Sequence, residues 1–73
     1  ASIGSVLSVT FSDSIIPGDF MDFLLRFENR REVRKNIHGA EILIFVMDSE
    51  QTGELMDRIR LLGIEPRLIY RGK

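Results

Sequence analysis

The chain is 73 residues long, which suffices for one small domain, and chains of this size bury only about 60% of the surface that they expose when unfolded. It has no cysteine and one histidine, which excludes disulfides, thiolate metal sites and an imidazole-rich metal centre within one chain. The formal net charge of −1 gives no indication of nucleic acid or an anionic membrane as a partner. The domain must therefore be stabilised by packing, to which self-association would add.

The first element that the sequence predicts is a strand over residues 5–12. Apolar side chains alternate there with serine and threonine, the apolar ones being Leu7, Val9 and Phe11. A period of two is typical of a strand with one buried and one wetter face. The pattern predicts a one-sided strand at the start of the domain.

A loop over residues 13–19 is predicted to lead into the first helix. Pro17 suits a first helical turn, and Asp19 favours the positive end of the helix dipole. Large apolar side chains then recur at helical spacing, namely Phe20, Phe23, Leu24 and Phe27. This spacing predicts a helix with an aromatic core face.

The segment over residues 28–39 fits two interpretations. As a continuation of the helix, it would place Val33 and Ile37 on one side and a stripe of arginines on the other. As a strand over residues 31–37, it would be followed by a hairpin turn at His38 and Gly39. The residues alone leave both interpretations open.

Residues 40–47 are the most apolar stretch, with six consecutive apolar residues from Ile42 to Met47. The run is far shorter than the roughly 20 residues that a membrane-spanning helix needs. Its β-branched content, with Gly39 before it and Asp48 after it, predicts a strand. A strand that is apolar on both faces must be covered on both faces.

A second helix and a last strand are predicted after this central strand. Apolar side chains again follow helical spacing, namely Leu55, Met56, Ile59 and Leu62. Gly63 stands where a glycine ends a helix, and Pro66 lies just beyond it. Residues 67–71 then form a short strand with Leu68 and Tyr70 on one face.

Two architectures follow from these elements. With a strand in residues 28–39, the order βαββαβ predicts an α+β, ferredoxin-like sandwich with two helices on one face of a small antiparallel sheet. Without it, the order βαβαβ predicts a three-stranded parallel sheet with crossover helices. We prefer the first because one-sided outer strands fit it better. Residues 1–73 form a single small α/β domain, either complete or cut from a longer chain.

The central strand has more apolar residues than one covered face accommodates. Two alternating sets compete for the helix side, Ile42, Ile44 and Val46 against Leu43, Phe45 and Met47. The other set needs a second cover, because burying a large apolar side chain contributes about 1.5–3 kcal/mol of stability, which is lost if the side chain stays in water. We therefore expect a homodimer or a contact with a larger protein. The candidate partner interface joins this strand to the arginine-rich segment and comprises Ile42, Ile44, Val46, Arg26, Arg30, Arg31 and Arg34.

The start of the chain resembles an ACT domain. A strand, the acidic Asp13, the pair Pro17 and Gly18, and a helix that begins with large apolar residues follow one another as in that family. Residues 61–64 and the last strand are similar to the family's second helix and final strand. The resemblance implies the ferredoxin-like order, pairing through sheets, an amino-acid ligand and regulation of an attached enzyme. The ligand-binding positions that it implies are Asp13, Pro17, Gly18 and Asp19.

No sequence motif indicates catalysis. The six glycines are scattered and form no phosphate-binding loop, and His38 beside Gly39 is typical of an exposed turn. The arginines of residues 26–35 alternate with Glu28 and Glu32, which favours a salt-bridged or protein-binding face over nucleic acid. We expect no enzyme activity, no metal and no cofactor.

The sequence thus predicts a small regulatory or binding module that self-associates or docks through its sheet. On the ACT-like interpretation it binds a small molecule such as an amino acid. The alternative is a protein-interaction or assembly domain with no small ligand. The sequence has no recognisable signal peptide or membrane-spanning segment, so we expect a cytoplasmic protein.

Overall fold

A computed structural model describes residues 4–13 and 15–72 of the chain. Its elements follow the order strand, helix, two strands, helix, strand. In chain order they are β1 (Ser5–Phe11), α1 (Gly18–Leu24), β2 (Asn29–Asn36), β3 (Gly39–Val46), a 3₁₀ turn (Ser49–Gln51), α2 (Thr52–Leu61) and β4 (Arg67–Tyr70).

The four strands form one antiparallel sheet in the order β2–β3–β1–β4. The α+β class is therefore confirmed for the described residues, and the alternative of a three-stranded parallel sheet is wrong. The ambiguous segment over residues 28–39 is a strand and a hairpin. Asn36 and the turn at Ile37 and His38 join β2 to β3, and the side chain of Asn36 accepts a hydrogen bond of 2.7 Å from the His38 backbone N–H.

The first helix is shorter than its aromatic stripe predicts. It ends at Leu24, although Phe27 continues the apolar spacing. The Asn29 side-chain amide donates hydrogen bonds to the carbonyl oxygens of Leu24 at 2.7 Å and Phe27 at 2.8 Å. The Leu24 carbonyl also accepts the Phe27 N–H at 3.1 Å, so these bonds fix the turn that leads from the end of α1 into β2.

The hydrophobic core lies between one face of the sheet and both helices. From the sheet come Leu7, Val9, Ile42, Ile44 and Val46, and from the helices come Phe20, Leu24, Leu55 and Ile59. All nine are at most 2% exposed.

The core placement corrects one of the sequence predictions. The sequence predicts Ile42, Ile44 and Val46 at the partner interface, but they pack against the helices. The reason is the register of β1 and β3, in which Leu7 pairs with Ile44 and Val9 with Ile42. Directly paired residues point to the same face, so the apolar face of β1 selects this set. Leu43 and Phe45 face the other side of the sheet.

Two glycines hold backbone conformations that other residues rarely adopt. Gly63 follows α2 with φ +81°, and its N–H donates to the Arg60 carbonyl at 2.9 Å, as the sequence predicts for a helix-ending glycine. Gly39 begins β3 with φ +144°, and a Cβ atom there would collide with the carbonyl oxygen of Phe11. This close approach sets the end of the β1–β3 pairing.

We expect Leu55→Ala to destabilise the domain by about 2–5 kcal/mol, because it leaves a cavity between α2 and the sheet. The matched control is Leu61→Ala on the same helix, whose side chain is 86% exposed and which should change the free energy of unfolding by less than about 0.5 kcal/mol. Urea titrations followed by circular dichroism measure both. Equal effects of the two substitutions would contradict the core described here.

Candidate functional site

The four predicted ligand positions lie on the connection that runs from β1 into the first turn of α1, where Gly18 and Asp19 are already helical, and all are exposed. Asp13 accepts a hydrogen bond of 3.1 Å from the backbone N–H of Ile15. Pro17 precedes the helix, and its carbonyl accepts from the Phe20 N–H at 3.1 Å. Gly18 has free space where a Cβ would stand, so a side chain would fit there. The connection thus presents two carboxylates, of Asp13 and Asp19, to solvent.

Two of these positions line a surface groove. Pro17 and Asp19 lie beside α1 on a groove of about 550 Å³, whose other walls are Phe20, Asp22, Phe23, Arg26, Leu62 and Ile64. Asp13 and Gly18 are not among the lining residues. The charged groups of the groove are the carboxylates of Asp19 and Asp22 and the guanidinium of Arg26, and its other lining side chains are aromatic or aliphatic. The sequence alone does not indicate Leu62 and Ile64 as lining residues, because they follow the end of α2 and only the fold brings them beside α1.

The four arginines of the predicted interface do not share one surface. Arg26 lies in the turn after α1, on the rim of the groove. Arg30, Arg31 and Arg34 lie on β2, where side chains alternate between faces. Arg31 pairs with Ile44 and so points to the helix side, where it donates to the Asn29 side chain at 2.9 Å.

Arg30 and Arg34 point to the opposite side of the sheet, which we call the open face. Both helices pack on the other side. Three rows of side chains cross the open face from β2 to β4, as the strand register shows. They are Arg30, Phe45, Val6 and Tyr70; then Glu32, Leu43, Ser8 and Arg67; then Arg34, Glu41 and Thr10. The β1–β4 register shifts between Val6 and Leu7, so Tyr70 pairs with Val6 on the open face, whereas Leu68 pairs with Leu7 on the helix side. The prediction that Leu68 and Tyr70 share one face is therefore wrong.

The centre of the open face is apolar and its edges are charged. Val6, Leu43 and Phe45 are only partly buried, and Tyr70 at the β4 edge is 51% exposed. The guanidinium of Arg30 lies 5.8 Å from the centre of the Phe45 ring, within the range of a cation–π contact. Arg34 pairs with Glu32 at 3.3 Å, and both side chains are more than half exposed.

A shallow depression marks the Phe45 end of the open face. Its volume is about 280 Å³, and its lining includes Val6, Arg30, Phe45 and Met47. Met47 is 49% exposed. The depression is therefore a concave apolar patch with the Arg30 guanidinium at its rim. The sequence alone indicated an excess of apolar residues in β3, but not this patch.

One buried polar contact lies within the open face. The Ser8 hydroxyl donates a hydrogen bond of 2.7 Å to the Glu41 carboxylate, and Ser8 is 1% exposed. The contact joins β1 to β3 and holds the carboxylate against the sheet.

Other kinds of site find no counterpart in the described residues. Neither helix within residues 4–13 and 15–72 has the length and apolar character needed to cross a bilayer. The same part of the chain holds no group of three or more histidine or carboxylate side chains placed to bind a metal ion.

We expect Ser8→Ala to lower the free energy of unfolding by about 1–3 kcal/mol, because a partly buried carboxylate loses its hydrogen-bond donor. The matched control is Ser12→Ala, at an exposed position just after β1, with a change below about 0.5 kcal/mol. Thermal and urea unfolding measure both. A Ser8→Ala variant as stable as the control would show that the contact adds nothing.

Comparison with known proteins leaves these surfaces to be interpreted from their chemistry. No family model, no curated protein and no solved structure matches this chain. The resemblance to the ACT domain therefore stays a prediction, and so do the ligand positions that it implies.

Proposed function

We propose that this domain is a small binding module of ferredoxin-like architecture that self-associates through the open face of its sheet. The element order strand, helix, strand, strand, helix, strand and the antiparallel order β2–β3–β1–β4 support the architecture. In that arrangement β1 and β2 run parallel with β3 between them, and each helix crosses the same face.

The observation that supports self-association is the apolar centre of the open face. Antiparallel sheets that face water usually carry polar side chains on that side. Here Val6, Leu43 and Phe45 occupy the two inner strands, and Tyr70 extends the patch to the β4 edge. Removing apolar surface from water is worth about 25 cal/mol per Å², so a second protein surface laid on this face would stabilise the domain.

The sheet edges favour association through the face rather than through strand addition. The outer strand β2 carries charged side chains along most of its length, including Arg30, Glu32 and Lys35. Charged residues on an edge strand disfavour pairing with another chain. The other edge, β4, spans only Arg67–Tyr70 and is short for a stable edge-to-edge pairing.

We expect Leu43→Glu to abolish self-association while leaving the fold intact, because it places a carboxylate in the apolar centre of the face. The control is Leu61→Glu on α2, an exposed leucine outside the face. Sedimentation velocity from micromolar to millimolar concentration, with circular dichroism as the test of folding, measures the effect.

A second variant covers the case in which Leu43→Glu unfolds the domain. Tyr70→Asp changes a half-exposed side chain at the sheet edge and should weaken association in a folded protein. A wild-type protein that stays monomeric throughout the concentration range would refute the proposal. So would folded Leu43→Glu or Tyr70→Asp variants that associate like the wild type.

A second candidate function is an ACT-like module that binds an amino acid in the groove beside α1. It is favoured by the side chains that line the groove, since Asp19 and Asp22 suit an ammonium group and Arg26 suits a carboxylate. Regulation of an attached enzyme would then follow from ligand binding.

For this candidate we expect at least one free amino acid to raise the melting temperature of the domain. Arg26→Gln should remove the shift because it removes the guanidinium at the groove, whereas Arg71→Gln, beyond β4, should retain it. Thermal-shift measurements against all common amino acids test this. If no amino acid in the panel raised the melting temperature, an amino-acid ligand would be excluded.

A further inference from the structure

We propose that the two copies of this chain pack face to face about a twofold axis that runs parallel to the strands, so that Glu32 lies against the partner's Arg67 and Arg30 against the partner's Tyr70. This inference rests on the proposed self-association and adds its geometry.

A face-to-face dimer of two identical sheets has its twofold axis in the plane between them. Two directions are compatible with aligned sheet packing, one parallel to the strands and one across them. The strand order β2–β3–β1–β4 places the centre of the sheet between β3 and β1. The two directions bring different strands and different rows together.

An axis parallel to the strands through this centre lays β2 over the partner's β4 and β3 over the partner's β1. Each row then meets the same row of the other copy. In the middle row Glu32 opposes the partner's Arg67, and Leu43 opposes the partner's Ser8. A carboxylate thus meets a guanidinium, and the twofold axis repeats this contact at the other edge of the interface.

An axis across the strands gives the opposite electrostatic result. It lays β2 over the partner's β2 and reverses the order of the rows. Glu32 would then oppose the partner's Glu32, Arg67 the partner's Arg67, and Arg30 the partner's Arg34. Like charges placed opposite each other across an interface are repulsive, so the charges on the face discriminate between the two axes.

The first row adds an aromatic contact to the same arrangement. Arg30 lies over Phe45 and at the rim of the depression on the open face. The parallel axis brings the partner's Tyr70 to this position and Phe45 over the partner's Val6. Tyr70 is half exposed in the single chain, and in the dimer its ring would stack on the guanidinium and fill the depression.

The twist of packed sheets does not remove this correspondence. Aligned sheets cross at about 30°, and the outer strands lie about 7 Å from the centre, so the twist displaces them by about 4 Å. Side chains two residues apart on a strand are about 7 Å apart, which exceeds that displacement. The long side chains of Glu32 and Arg67 span the difference. The face is small, so the dimer is expected to be weak and to exchange rapidly.

The first experiment is a charge exchange measured by sedimentation equilibrium. E32R and R67E should each weaken association about tenfold, since the twofold axis repeats the pair and each variant creates two repulsive contacts. The double variant E32R/R67E should restore association to within about threefold of the wild type. The matched control is the double variant E54R/R58E, which exchanges an ion pair of 3.4 Å within α2 and should leave association unchanged.

The second experiment uses the absence of cysteine from the chain. Packed sheets lie about 10 Å apart, so a bis-maleimide reagent of about that length bridges opposed positions. E32C mixed with R67C should form the cross-linked heterodimer, and E32C alone should form little cross-linked homodimer. Within one chain these two positions lie on opposite sheet edges, about 14 Å apart.

The outcomes separate this inference from the proposed function. Efficient cross-linking of E32C alone, or a double variant E32R/R67E that stays as weak as the single variants, would overturn the parallel axis. If Leu43→Glu still abolished association in the same samples, the open face would remain the interface with a different geometry. A wild-type chain that never associates would refute both.

Discussion

The pairing of β1 with β3 is the interaction on which the rest of the structure depends. It places Leu7 opposite Ile44 and Val9 opposite Ile42, so that the apolar face of β1 and one face of β3 form a single surface. A shift of one residue would turn every side chain of β3 to the other side. The tight approach of Gly39 to the Phe11 carbonyl lies at one end of this pairing and opposes such a shift.

Both helices pack on the surface that this register creates, and within residues 4–13 and 15–72 no helix covers the other side of the sheet. The two helices are short, with seven residues in α1 and ten in α2. They supply four fully buried side chains to the core. The apolar residues of β3 that point away from them lie between charged edges, which is the pattern of a small protein interface with a polar rim. The groove beside α1 is a different surface, formed where Leu62 and Ile64, which follow α2, lie beside α1.

Much of the fold could be predicted because the spacing of apolar residues along the chain indicates which segments are strands and which are helices. The alternation in β1, the helical spacing in α2 and the glycine at position 63 each depend on interactions within a few residues. Residues 28–39 could not be assigned because β2 is an edge strand with Val33 as its single apolar residue, so neither period is visible. The apolar stripe predicts too long a first helix because Phe27 continues it, whereas α1 ends at Leu24. The Asn29 side chain then bonds to the Leu24 and Phe27 carbonyls in the turn that follows.

By itself the sequence determined the apolar central strand and its excess of hydrophobic residues over one covered face, and it favoured the α+β class over a parallel sheet without deciding between them. It could not determine which side of that strand the helices would cover. A strand that is apolar on both faces has no alternation, and only its pairing with the one-sided β1 breaks the symmetry. The tertiary structure likewise separated Arg31 from Arg30 and Arg34, and it placed Glu32 and Arg67 in one row across the sheet. Such rows join residues far apart in the chain, so they become visible only when the strands are paired.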